Sequence, residues 1–106
     1  MAYRLKSGIT KTAIYNAVLL HDTGSVSLPP LRKCDFRKYR HSYWLEFYQD
    51  GYHWEVFFTQ WDGRVVYSVT RYEYADDGSC LRYETLSFQS IPFEYLQEHD
   101  MLREVA

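Results

Sequence analysis

Two glutamates and a histidine are the side chains best placed to do chemistry in this chain. Glu46 and Glu55 flank Asp50-Gly51. Asp-Gly is a strong signal for a two-residue hairpin loop, because that loop needs φ > 0 at both positions. Such a loop sets Glu46 directly opposite Glu55 on the neighbouring strand. Like charges opposed across a sheet are destabilising, so the pair calls for a reason. As a paired-carboxylate site, mutual repulsion would raise one pKa and provide one acid and one base, with His53 assisting, in a hydrolase-like enzyme. As a binding site, the pair would receive a basic partner. As a purely structural feature, the basic segment 32–41 would fold back and set Arg37 or Arg40 between the two carboxylates.

The residues around this pair are unusually aromatic. The chain has eleven tyrosines, and aromatic residues make up 19% of it. The same strand face carries Trp44, Tyr48, His53, Phe57, Tyr72, Tyr74 and Tyr83. Tyr48, His53, Tyr72 and Tyr83 are expected to form one row across the sheet. Trp44 and Phe57 form another with Ser68 and Ser87. Exposed surfaces rich in Tyr and Trp are typical of protein-binding hot spots. The alternative is a second small core lying under the N-terminal segment.

A second candidate is the basic run Arg32, Lys33, Arg37, Lys38 and Arg40, with Phe36, Tyr39 and His41 interleaved. Cations spaced this way could contact the phosphates of a nucleic acid. The net charge of −2 weighs against that use, since nucleic-acid binders are usually basic overall. The charge is split along the chain. Residues 1–42 hold eight Lys/Arg and two Asp/Glu, a net +6, and residues 43–106 hold four and twelve, a net −8. The two parts could neutralise each other by packing, or leave a bipolar surface for a charged partner.

Other chemistry has little support. Cys34 and Cys80 show neither CxxC nor Cys/His spacing, so they read as reduced thiols and not as a zinc site. The cations beside Cys34 could lower its pKa, but no partner base is visible. No Gly-rich phosphate loop, GxSxG or HExxH occurs, and His21, His41, His53 and His99 are scattered. No metal or cofactor is expected.

These residues must be positioned by a sheet. Asp50-Gly51, Asp62-Gly63 and Asp77-Gly78 each separate β-rich runs. They predict a four-stranded antiparallel β-meander over about 43–49, 52–60, 65–75 and 80–88. With a two-residue loop at each, Tyr43 meets Phe58, Leu45 meets Val56 and Phe47 meets Trp54. Across the next two hairpins Phe58 and Val56 meet Tyr67 and Val69, which in turn meet Phe88 and Leu86. Tyr52 and Val65 share this core face. The same registers pair Arg71 with Glu84 and Glu73 with Arg82, and a one-residue slip would destroy every match. Ile14, Ala17, Val18 and His21 follow helical spacing after a Thr10 N-cap, predicting a helix over 10–21. Ser90-Ile91-Pro92 predicts a second helix over 91–104. Residues 2–9 read as an irregular arm, and Pro29-Pro30 as an extended connector.

The expectation is one α+β domain over residues 1–106. No apolar run is long enough to span a bilayer, and no secretory signal follows Met1, so a cytoplasmic location is expected. The chain reads more as a small protein-binding module, of inhibitor or adaptor type, than as an enzyme. Its partner would be another protein or a second copy of itself, with nucleic acid as the alternative and no membrane.

Overall fold

The computed structural model describes residues 2–105. The elements run β1 (Ala2–Leu5), α1 (Lys11–His21), a single 3₁₀ turn (Leu31–Lys33), β2 (Asp35–Tyr39), β3 (Ser42–Gln49), β4 (Tyr52–Trp61), β5 (Arg64–Tyr74), β6 (Cys80–Ser90), α2 (Phe93–Glu98) and β7 (Leu102–Val105). The fold is α+β. Strands β2 to β6 form an antiparallel meander in chain order, while β1 and β7 form a separate two-stranded ribbon.

The meander has five strands, not four, because the basic segment is itself a strand. Its hairpin turns through Arg40-His41, with none of the residues that usually mark such a turn, and Arg40 sits at φ 56°. The next two hairpins follow their sequence signal. Asp50 and Gly51 have φ of 54° and 81°, and Asp62 and Gly63 have 52° and 74°. Both loops therefore hold two residues at positive φ, and the expected registers of β3, β4 and β5 result, with Leu45 opposite Val56 and Val56 opposite Val69.

The third hairpin departs from expectation. The Ala75 N–H donates to the Ser79 carbonyl (2.8 Å) and the Gly78 N–H to that of Ala75 (2.9 Å), giving a three-residue loop in place of two. Gly78, at φ 86°, takes the left-handed position that such a loop requires. Leu81 is an extra residue between Cys80 and Arg82, and it restores the expected register. Arg71 thus pairs with Glu84, and Glu73 with Arg82. A second bulge follows at Leu86, so that Val69 meets Ser87 and Ser68 meets Phe88. Phe88, expected in the core, lies instead on the far face and is 55% exposed.

Every other element packs on one face of the meander, called here the inner face. Tyr43, Leu45, Phe47, Trp54, Val56, Phe58, Val65, Tyr67 and Val69 are buried there with Ile14, Ala17 and Val18 of α1. Thr10 caps α1 by accepting from the Ala13 N–H (3.2 Å). At the other end Asp22 accepts from the Gly24 and Val26 N–H groups (3.1 Å each), from the Ser25 hydroxyl and from the buried Tyr67 hydroxyl (3.0 Å). This ties the end of the helix to β5. The Tyr43 hydroxyl likewise donates to the Lys6 carbonyl (2.6 Å) and accepts from the Ile9 N–H (3.0 Å), holding the connector from β1 to α1.

The C-terminal helix is six residues long and does not reach 104. Asp100 adopts φ 54°, the Met101 N–H donates to the Leu96 carbonyl (2.9 Å) and the Asp100 N–H to that of Gln97 (3.2 Å). These two bonds form a Schellman stop. The chain then pairs with the N-terminal segment, Leu5 opposite Leu102 and Ala2 opposite Val105. Residues 2–5 are accordingly a strand and not part of an irregular arm. The Gln60 side chain closes the other edge of β1. It accepts from the Leu5 N–H (2.8 Å) and donates to the Tyr3 carbonyl (3.2 Å).

Candidate functional site

With the helices and the ribbon on the inner face, the outer face of β2–β6 carries no covering element. Alternation along each strand places the candidate residues there. Trp44, Glu46 and Tyr48 come from β3, His53, Glu55 and Phe57 from β4, Tyr72 and Tyr74 from β5, and Tyr83 from β6.

Near the far end of the sheet the aromatic rings form a continuous ladder. Tyr48 stacks on His53 at 5.0 Å between centroids, His53 lies 5.6 Å from Tyr72, and Tyr72 lies 6.0 Å from Tyr83. Tyr74 stacks beside Tyr72 at 6.4 Å. Tyr48 and Tyr83, at the two ends, are 77% and 70% exposed. Burial raises the pKa of Tyr72 and of Tyr74, with the neighbouring Glu55 carboxylate adding to both. Their hydroxyls therefore stay protonated as donors at neutral pH. The Tyr74 hydroxyl lies 2.8 Å from Nδ1 of His53. With that hydroxyl as donor, the ring proton of His53 sits on Nε2, which lies 3.8 Å from Oε2 of Glu46.

Glu46 stands directly opposite Glu55, as expected. Arg37 from β2 bridges them, with Nη2 at 3.1 Å from Glu46 and 3.7 Å from Glu55. Its guanidinium also lies 4.6 Å from the centroid of the Trp44 ring, which in turn stacks on Phe57 at 4.8 Å. Burial raises the Glu55 pKa, and Glu46 adds to the rise, while Arg37 and His53 oppose it. The result is a polar chain running Tyr74, His53, Glu46, Arg37, Glu55. It offers an acidic, hydrogen-bonding strip between two aromatic clusters.

The structure separates the remaining sequence candidates. Arg32 and Lys33 lie on the 3₁₀ turn, Arg37 on the outer face, Lys38 on the opposite side of β2, and Arg40 in the hairpin turn. The basic run is therefore not gathered on one face. Cys80 is exposed and Cys34 buried. Burial pushes the Cys34 thiol up despite Lys11, contrary to the lowering suggested by its cationic neighbours in sequence.

Three outer-face features were missed in the sequence. Asp35 stands opposite Glu46 and extends the acidic row to three carboxylates. Trp61 and Phe88, both 55% exposed, meet edge to face at 5.6 Å. No sequence signal marked the first, because β2 shows no apolar alternation beyond Phe36 and its hairpin has no Asp-Gly turn. Phe88 depends on the Leu86 bulge, and Trp61 lies one residue beyond the expected end of its strand. Among the described residues, no group of three or more His, Cys, Asp or Glu is arranged to hold a metal ion, and no helix is long and apolar enough to cross a membrane.

Compared with protein-family models, with curated proteins and with solved structures, the chain matches none.

Proposed function

We propose that this chain is a small protein-binding module that docks a partner protein on the outer face of β2–β6. One observation carries the reading. All the covering elements lie on the inner face, while the outer face presents a ladder of closely packed aromatic rings, stacked or tilted, ending in two largely exposed tyrosines. Rings packed against one another offer apolar area already ordered, so little entropy is lost when they bind. The acidic row of Asp35, Glu46 and Glu55, offset only in part by Arg37, favours a partner that brings Arg or Lys to the strip. Arg37, seated between the two glutamates, supports charge recognition over acid–base work at that pair.

The test is the double substitution Tyr48→Ala plus Tyr83→Ala. A partner recovered with the wild-type chain should bind the variant, as purified proteins, at least about thirtyfold more weakly, the loss expected from removing one hot-spot residue worth about 2 kcal/mol. The thermal midpoint should move by less than about 4 °C, because neither side chain is buried. Equal affinity for both forms would overturn the reading.

A further inference from the structure

We propose a second site, unrelated to the outer-face ladder, that binds a phosphate group at the mouth of the β2–β3 hairpin. A recess of about 430 Å³ opens there between the hairpin and β1. Arg4 and Arg40 line it, with His41, Ser42 and Thr59 completing its polar wall. No Asp or Glu contributes to the lining. This is the reverse of the acidic outer face, and an uncompensated pair of guanidinium forks matches an oxyanion.

Like Arg32, Arg64 and Arg103, these two arginines have no carboxylate partner among the described residues, but these two line one recess together. Arg37, Arg71 and Arg82 each lie within 4.0 Å of a glutamate, and Lys6 within that distance of an aspartate. Among the described residues, neither Arg4 nor Arg40 has such a partner. Arg4 instead stands directly opposite Arg103 in the ribbon, a like-charge pairing that a bound anion would relieve. Arg40 sits at φ 56°, a conformation costly for a residue with a side chain. Its guanidinium lies 5.3 Å from the centroid of the Tyr39 ring, another lining residue.

The neutral donors fit the same ligand. Nδ1 of His41 is buried without a hydrogen-bond partner. With the ring proton on Nε2, that nitrogen can donate to a ligand. The Ser42 and Thr59 hydroxyls lie 2.8 Å apart, and either can donate to the other. One hydroxyl proton is consumed in that bond, which leaves the second to point into the recess. Both ends of the Gln60 amide are held by β1, and its side chain acts as wall. The recess is larger than a phosphate alone requires, so a small phosphomonoester fits as well as free phosphate.

Inorganic phosphate, phenyl phosphate and a ten-nucleotide single strand should be titrated separately into the labelled full chain at 0.15 M NaCl, with amide resonances followed by NMR. Saturable shifts centred on His41, Ser42 and Thr59 are expected with one or both small phosphates. Tighter binding of phenyl phosphate would assign the site to phosphomonoesters, and equal or tighter binding of inorganic phosphate would assign it to the free ion. Affinity should fall at least tenfold in Arg4→Gln plus Arg40→Gln. Arg40→Lys, which keeps the charge and loses the fork, should show an intermediate loss in an otherwise unchanged spectrum. No saturable shift with either small phosphate would overturn the proposal, as would undiminished binding by the double variant. Stronger shifts with the oligonucleotide at equal phosphate concentration would overturn it in favour of nucleic acid.

Discussion

Glu55 shows how a single carboxylate can report on the purpose of a surface. Burial, and Glu46 directly across the strand, raise its pKa above the ordinary 4.5, against the opposing pull of Arg37 and His53. A carboxyl group whose folded pKa is raised binds its proton more tightly in the folded chain than in the unfolded one. Its contribution to stability is therefore most favourable at low pH. It declines as pH climbs from the unfolded pKa through the folded one, and above both it is a constant penalty. Glu55→Gln removes that penalty and leaves Arg37 paired with Glu46 at 3.1 Å. The variant should be more stable than wild type by about 0.5–1 kcal/mol at pH 7, the cost of one like-charge cross-strand pair. The difference should vanish near pH 3. Urea unfolding at the two pH values measures it, and a destabilised variant at pH 7 would mean that the Arg37–Glu55 contact outweighs the repulsion. A gain would mark Glu55 as a residue held at a cost to stability, as expected of one kept for recognition. The Glu46–Glu55 opposition and the tyrosine row were legible in the sequence because both depend only on strand parity across Asp-Gly loops. Arg37 could be named only as one of two candidate bridges, with Arg40, because the basic segment is expected from sequence to fold back over the pair. Asp35 could not, since its place depends on a strand that the sequence did not announce.

At the scale of elements, agreement and disagreement follow the turn chemistry. Asp50-Gly51 and Asp62-Gly63 are ordinary type I′ signals, and the strands around them fall in the expected register. The elements that went unread are those with unusual residues in left-handed positions. Arg40 turns the β2–β3 hairpin, so β2 looked like a basic loop. Asp100 stops α2, so the helix looked continuous to 104. The Leu86 bulge has no compositional mark, and it alone carries Phe88 from the core face to the outer face. The β1–β7 ribbon joins the two ends of the described chain, a pairing with no local signal at all. Asp100 permits a direct test. Its side chain is 85% exposed, so its ion pair with Lys6 at 2.7 Å adds little to stability. Its left-handed φ, in contrast, carries the cost that glycine avoids. Asp100→Gly should stabilise the chain by about 0.5 kcal/mol, raising the thermal midpoint by about 2–4 °C. An unchanged or lower midpoint would show that the ion pair, or glycine's greater freedom in the unfolded chain, matters more than backbone strain.

At the scale of the molecule, the one-sided arrangement leaves a measurable shape. The radius of gyration is 14.5 Å over Cα atoms, against about 13 Å for a compact chain of this length. The accessible surface is 6708 Å², above the roughly 6,300 Å² expected from the mass. Both excesses, and a long axis of 50 Å against 24 and 23 Å for the others, fit a sheet covered on one side only. Five strands about 4.8 Å apart, each about eight residues long at about 3.3 Å per residue, make a face of about 20 by 26 Å. With side-chain relief that is close to the roughly 800 Å² per partner of a standard interface. The outer face therefore has room for one partner of ordinary footprint. Its charge argues against a second copy in that place, because two such faces would bring acidic rows together, with Arg37 already engaged on each. Light scattering on a sizing column should accordingly give a monomer of 12.8 kDa at both low and moderate salt. A dimer that Tyr48→Ala plus Tyr83→Ala returns to monomer would instead assign the ladder to self-association. A dimer insensitive to that substitution would place the contact elsewhere and leave the outer face open to another protein.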